Sequence, residues 1–243
     1  MSQIAGALAI SRKDIESYYG KPPLVTWGLL FHAVLILAVY VKDRAGYLAV
    51  VPGIIGMTLL FGNTSMAAIV ITFEKRTGTL ERLLLAPLSA RTIVLGKAFS
   101  AAAYGIATSL VLTLGFVAFL DMPLARPVVF GLGLVLGAGT FSFLGIIASV
   151  MVREVFEAMT LMNFFRFPLL FVSGVFMPVA QMPWWIKPVT YLSPLTPVVE
   201  LLRIGVQGES TLGPAWVPAS IAILFFLAAG AVSIPSFRRC TMR

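Results

Sequence analysis

Six apolar runs separated by short polar gaps set the limits on what this chain can fold into. They cover roughly Leu24–Val41, Leu48–Phe73, Ile93–Leu120, Val128–Met151, Ala158–Pro178 and Val217–Ile234. A helix rises about 1.5 Å per residue, so 18 residues reach about 27 Å, close to the hydrocarbon thickness of a bilayer. The first and last runs are barely long enough, and the third is long enough to tilt or to extend past the bilayer. A spanning β-barrel would alternate apolar and polar residues in segments of about ten; no such alternation is present. Only 12% of the residues are charged, about half the share typical of a soluble domain. The expected fold is an all-α membrane protein with six transmembrane helices.

The net charge of +8 sits in the gaps between the runs, which points to membrane topology and not to nucleic acid. One side receives Arg12, Lys13, Lys21, Lys75, Arg76, Arg82, Arg91, Lys97, Arg153, Arg166, Arg238, Arg239 and Arg243. The other receives Lys42, Arg44, Arg126, Lys187 and Arg203. The positive-inside rule then places both termini in the cytosol of a multi-pass cell-membrane protein. The apolar stretch Ile4 to Ile10 has no basic leader and is followed by Ser11-Arg12-Lys13-Asp14, so it does not read as a secretory signal. Residues 1–21 instead read as a surface helix. Ile10, Ile15 and Tyr18 would face lipid and Arg12, Lys13, Asp14 and Glu16 water, with Pro22-Pro23 breaking it from the first span. Residues 22–243 form one transmembrane domain.

Arg166 lies within the fifth run or near its inner end. Either it snorkels to the headgroups, the plainer expectation, or it faces a polar cavity or a neighbouring helix. Asn63-Thr64-Ser65 lies mid-membrane, where its side chains either line a path or hydrogen-bond between helices. His32 is either a proton-sensing or a packed neutral imidazole. Phe164, Phe165, Phe167 and Phe171 crowd the fifth run, facing either an apolar substrate or lipid. Gly133 and Gly137 form a Gly-x-x-x-Gly pair that permits close helix packing. The longest outer gap, residues 179–208, is punctuated by Pro183, Pro188, Pro194 and Pro197, with Pro178 just before it, so it cannot be one helix. It carries Trp184 and Trp185 as interface anchors. Thr196-Pro197 opens a second short helix with Glu200 and Arg203 off its apolar face, and Gly208 ends it.

The polar segment between the second and third runs is the most informative. Leu80, Leu83 and Leu84 make one apolar stripe at i, i+3, i+4 spacing, with Glu81 and Arg82 directed elsewhere. Gly78 frees the backbone before the helix and Pro87 stops it, giving about two turns within residues 77–88. By itself this is either an amphipathic helix lying on lipid or a handle for something in the cytosol.

The stretch Glu74-Lys75-Arg76-Thr77-Gly78-Thr79-Leu80-Glu81-Arg82-Leu83-Leu84-Leu85-Ala86-Pro87 resembles the coupling-helix signature of ABC-2 type transporter permeases, the membrane subunits of type V ABC exporters. A second block, Phe171-Val172-Ser173-Gly174-Val175-Phe176-Met177-Pro178 with Met182-Pro183-Trp184, Leu192-Ser193-Pro194-Leu195-Thr196-Pro197 and Glu200-Leu201-Leu202-Arg203, resembles that family's fifth span and external re-entrant helices. The order and spacing agree over almost the whole chain, and the compact permeases of nodulation-factor and drug exporters are the most similar in character. The resemblance implies two permease copies about a two-fold axis, each docked on a separate ATP-binding subunit that carries ATP and Mg. The chain itself would hold no cofactor or metal. Glu74, Gly78, Thr79, Leu80, Glu81, Leu84 and Pro87 would couple the ATPase to the spans, and the N-terminal helix would act as the connecting helix. Asn63, Thr64, Phe164, Phe165, Arg166 and Phe171 would line the substrate path. Pro178, Pro183, Trp184, Pro194, Glu200 and Arg203 would build the external re-entrant segment.

Other classes find less support. There is no Gly-x-x-x-x-Gly-Lys-Ser/Thr phosphate loop, so ATP hydrolysis is expected on a partner. His32 has no motif-matched serine for an intramembrane protease. The acidic pair Glu154 and Glu157 has Arg153 at i, i+4 of Glu157 and reads as structural, not as a metal site for a transferase. No charged or carbonyl-lined filter suggests a channel. A single cysteine, Cys240, excludes an internal disulfide. The expected function is export of an amphipathic or hydrophobic molecule, drug-like or lipid, with a lipid-linked saccharide or oligo- or polysaccharide as the alternative cargo.

Overall fold

The computed structural model describes residues 3–19, 22–44 and 46–241. In chain order it has α1 (Gln3–Asp14) running into a π-helical turn (Ile15–Tyr19), α2 (Pro22–Lys42), α3 (Tyr47–Arg76), α4 (Thr79–Leu84), α5 (Ala90–Leu120), α6 (Pro127–Met151) and α7 (Val155–Val172). A 3₁₀ turn (Val179–Gln181), α8 (Lys187–Tyr191), α9 (Leu195–Gln207) and α10 (Trp216–Thr241) complete it. No strand occurs among the described residues. The chain is an all-α membrane protein. Among the described helices, α3, α5, α6, α7 and α10 are long and apolar enough to cross a bilayer. The expected first crossing falls on α2 (Pro22–Lys42). Lys21 and Arg243, two of the inner-side charges, lie outside the described residues.

α3 is apolar on all sides and forms the axis of the bundle, packed against α2, α5, α6, α7 and α9. Pro52 sits in its second turn, where few backbone bonds are lost. The close contacts of α6 come through its glycines. A Cβ on Gly137 would stand 2.7 Å from Val198 Cγ1, and one on Gly133 3.0 Å from Leu201 Cβ. The Gly-x-x-x-Gly pair thus seats α9 against α6.

α9 packs inside the bundle. Every residue from Leu195 to Val206 is buried, between α3, α6 and α10. Its start differs from the expected one. Pro194 is the N-cap, and Thr196 donates its hydroxyl to Thr190 O at 2.7 Å instead of capping the helix. Gly208 ends α9 at φ +84, as expected. Glu200 and Arg203 form a buried ion pair (3.2 Å). Arg203 also donates to Ala49 O (2.9 Å) and Gly174 O (3.0 Å), tying α9 to α3 and to the turn after α7. Glu200 accepts from Ser210 Oγ and Thr211 N. Pro178 caps the 3₁₀ turn, Pro183 opens the turn before α8, and Trp184 and Trp185 are exposed.

The fifth expected span ran to Pro178, but α7 spans Val155–Val172 and stops at Ser173 and Gly174. It begins earlier because Glu154 and Glu157 make a reciprocal capping box. Glu157 accepts from the Arg153 backbone N–H (3.0 Å), while Glu154 pairs with Arg76 (3.1 Å).

Candidate functional site

The motif between α3 and α5 folds into two turns of helix with sharply different faces. Gly78 takes φ +69, a left-handed conformation that costs glycine nothing, and it turns the chain out of α3. α4 covers Thr79–Leu84, shorter than the expected segment; Leu85 is its C-cap, and Pro87 two residues later cannot continue the helix. Ser89 then caps α5, accepting from Thr92 N at 3.2 Å. Leu80 is buried, with Leu83 and Leu84 packed beside it among Ile10, Tyr19, Ile71, Ile93 and Phe237. Thr79, Glu81, Arg82 and Pro87 are exposed, and Gly78 is half-buried.

α1 lies across the start of α5. Gln3 Oε1 accepts from Ser89 N (3.1 Å) and the Thr92 hydroxyl, while Ser11 Oγ donates to Gly96 O at 2.7 Å. The expected sidedness of this helix is therefore overturned in part. Ile10 is buried against protein, and Asp14 is fully buried instead of facing water. The aqueous face retains Arg12 and Glu16, which pair at 2.8 Å, and Ile15 is exposed.

Asp14 is buried because two ammoniums, shared with Glu74, meet it. Lys97 Nζ lies 2.5 Å from Glu74 Oε2 and 3.4 Å from Asp14 Oδ2. Lys13 Nζ lies 2.8 Å from Asp14 Oδ1 and also bonds Glu74 Oε1. Asp14, Glu74 and Lys97 are at most 1% exposed. Two carboxylates and two ammoniums thus cancel inside the junction of α1, α3 and α5. Burial opposes the Lys13 charge, but its hydrogen bonds to Asp14 and Glu74 outweigh that and hold its pKa above the ordinary lysine value. Tyr19 is buried next to the cluster, and burial pushes its phenol up, so it stays neutral. Such a cluster adds little net stability, yet loss of one member leaves a buried charge unpaired. The sequence reading took Lys97 for a charge at the cytosolic rim. The missed signal was a lysine inside an apolar run, which needs a counter-ion wherever water is excluded.

Beneath α4 opens a cavity of about 820 Å³. Leu80, Glu81 and Leu84 form one wall, and Lys75, Arg76, Arg153, Arg239 and Cys240 line the others. Lys75 Nζ donates to Ser149 O at 2.6 Å, joining the end of α3 to α6.

The residues expected along the substrate path divide. Arg166 does not snorkel. It is buried on α7, donating from Nε to Thr64 Oγ1 (2.8 Å) and from Nη1 to Asn163 Oδ1 (3.2 Å), with its guanidinium 5.0 Å from the Phe61 ring centre. Thr64 donates in turn to Leu60 O. Thr64, Phe164, Phe165 and Arg166 line a second cavity, of about 520 Å³, between α3, α6 and α7. Pro194 closes one side of it. Asn63 and Phe171 are not part of its wall. Asn63 is buried against α5, where a Cβ on Gly105 would stand 1.8 Å from its Oδ1, and Phe171 packs against Phe176. His32 is buried on α2 with Nδ1 2.7 Å from Gly28 O.

Comparison with known proteins agrees with this architecture. The family model described as ABC-2 type transporter matches residues 6–206, most of the chain. The "Probable multidrug ABC transporter permease YbhR" of Escherichia coli (strain K12) is 25% identical over 202 residues, covering 79% of this chain and 53% of that protein. The "Inner membrane transport permease YadH" of the same strain is 24% identical over 214 residues, covering 85% of this chain and 82% of that protein. The chain therefore spans about half the length of YbhR. A match over residues 6–206 takes in most of α1, then α2 to α8 with the α4 junction, and almost all of α9, and the chain belongs to the ABC-2 type transporter family of membrane permeases.

Proposed function

We propose that this permease is the membrane subunit of an ATP-driven exporter, working as two copies, each docked through α4 on a separate ATP-binding subunit that carries ATP and Mg. Both termini lie in the cytosol, and the cargo is an amphipathic or hydrophobic molecule moved outward. The carrying observation is the split character of α4. Its exposed edge, Glu81 and Arg82, is free for a partner, while Leu80 is buried against the end of α3, in the apolar cluster that also takes in residues of α5 and α10. The four-charge cluster fixes α1 and α5 to the same end of α3. A displacement of α4 therefore moves packed helices as rigid bodies, the kind of element a nucleotide-driven closure can bias. The apolar cavity beside Phe164 and Phe165 supports an amphipathic cargo. Purification of the tagged chain from its own membrane in mild detergent tests this. The expected companion is a stoichiometric subunit with a Gly-x-x-x-x-Gly-Lys-Ser/Thr loop and ATPase activity in the eluate. Recovery of the chain alone, without ATPase, would return α4 to the role of a helix resting on lipid.

A further inference from the structure

The cavity between α3, α6 and α7 is apolar except at one point. Leu60, Leu144, Ile147, Leu161, Phe164 and Phe165 supply hydrocarbon and aromatic surface. Arg166 supplies a full positive charge, which arginine keeps even in apolar surroundings. Its side chain is 4% exposed. Two of its three nitrogens are held, Nε by Thr64 and Nη1 by Asn163, both neutral groups. Nη2 is buried without a hydrogen-bond partner. Among the described residues, no carboxylate pairs with this guanidinium, although Asp14, Glu74 and Glu200 are all matched by buried cations. An unpaired charge at membrane depth is costly and is retained where something neutralises it. A second copy related by an axis along the membrane normal would bring in only residues of the same depth. The nearest acid on α7, Glu157, is nine residues away, about 13 Å along the helix.

We propose that this cavity binds an anionic amphiphile, with a carboxylate or phosphate on Arg166 Nη2 and the apolar body against Phe164, Phe165, Leu144 and Leu161. Thr64 and Asn163 hold the guanidinium so that its free edge meets the head group, and Phe61 stacks on its face. About 520 Å³ suits a body of drug or single-chain lipid size. This assignment rests on the exporter reading only for the claim that the occupant is cargo. The binding chemistry stands without it.

The test uses the purified full-length chain in neutral detergent, titrated with dodecyl phosphate, dodecanoate, dodecanol and dodecyltrimethylammonium, with bound ligand read by native mass spectrometry. The two anions are expected to bind at least about tenfold more tightly than dodecanol, the ratio one charge-assisted contact supplies. Arg166→Gln should erase that preference. Arg166→Lys, which keeps the charge, should retain part of it and guards against loss through misfolding. Leu144→Trp should weaken all four ligands alike by filling the cavity, without changing the preference for anions over dodecanol. Equal binding of anions and dodecanol to the unaltered chain, or an anion preference that survives Arg166→Gln, would overturn the assignment. The assay contains no ATPase, so its failure is separate from failure to find an ATP-binding partner. The source of the anion is distinguished in the chain taken directly from its membrane. An anionic lipid retained at one per chain and not displaced by dodecyl phosphate identifies a resident lipid; displacement by dodecyl phosphate identifies an exchangeable occupant, as cargo must be.

Discussion

At the scale of single residues, the four-charge junction makes the sharpest demand. Lys97→Met would leave Asp14 and Glu74 buried with only Lys13 between them. The expected loss is about 3–5 kcal/mol, the range for breaking a buried ion pair by removing one partner. It is read as a lower unfolding temperature in detergent. Lys97→Met combined with Glu74→Leu removes one charge of each sign and should cost less than Lys97→Met alone, a non-additivity that surface charges would not show. Packing gives a second prediction at this scale. Gly105 faces the Asn63 side chain so closely that Gly105→Val must displace it. Overpacking of this kind costs about 1–3 kcal/mol, to be measured in the same melts. These residues also mark the limit of what the sequence conveys. Lys97, Asp14 and Glu74 are 23 and 60 or more residues apart, and only the docking of α1 on α5 brings them together. Arg166 was legible as an intramembrane charge but not as a buried one, because a guanidinium at that depth is either snorkelled or held, and Thr64 decides the matter from another helix.

At the scale of elements, the apolar runs placed α3, α5 and α6 to within three residues, since length and hydropathy are local properties, while α10 runs on to Thr241, well past the expected end at Ile234. Other ends were less legible. α7 started early because of the Glu154–Glu157 capping box and stopped early at Ser173 and Gly174. α9 is the main surprise, since its burial depends on glycines of α6, which no local pattern on α9 reveals. The sequence stripe on α4 was correct and yields a paired prediction. Leu80→Ala should destabilise the chain by about 2–5 kcal/mol, as a buried leucine does. Glu81→Ala, on the exposed side, should leave the melting temperature and membrane insertion unchanged while abolishing coupled transport by the assembled exporter. Normal transport by the Glu81→Ala protein would remove α4 from the coupling role.

At the scale of the whole molecule, orientation and coupling are the issues. The proposed orientation, which follows the positive-inside count, has the α4 end in the cytosol. Cys240 is the only cysteine, and it lines the cavity beside Glu81 at that same end. A membrane-impermeant maleimide should therefore label the unaltered chain in inverted vesicles and spare it in right-side-out vesicles. The opposite pattern would reverse the topology and place α4 outside the reach of any cytosolic ATPase. The most direct single measurement of coupling is a photo-crosslinking amino acid placed at Glu81 in the native membrane. The expected adduct is a soluble subunit bearing a phosphate-binding loop, with a yield that changes when ATP is trapped. Adducts to lipid alone, in every nucleotide condition, would contradict the coupling of α4 to an ATPase.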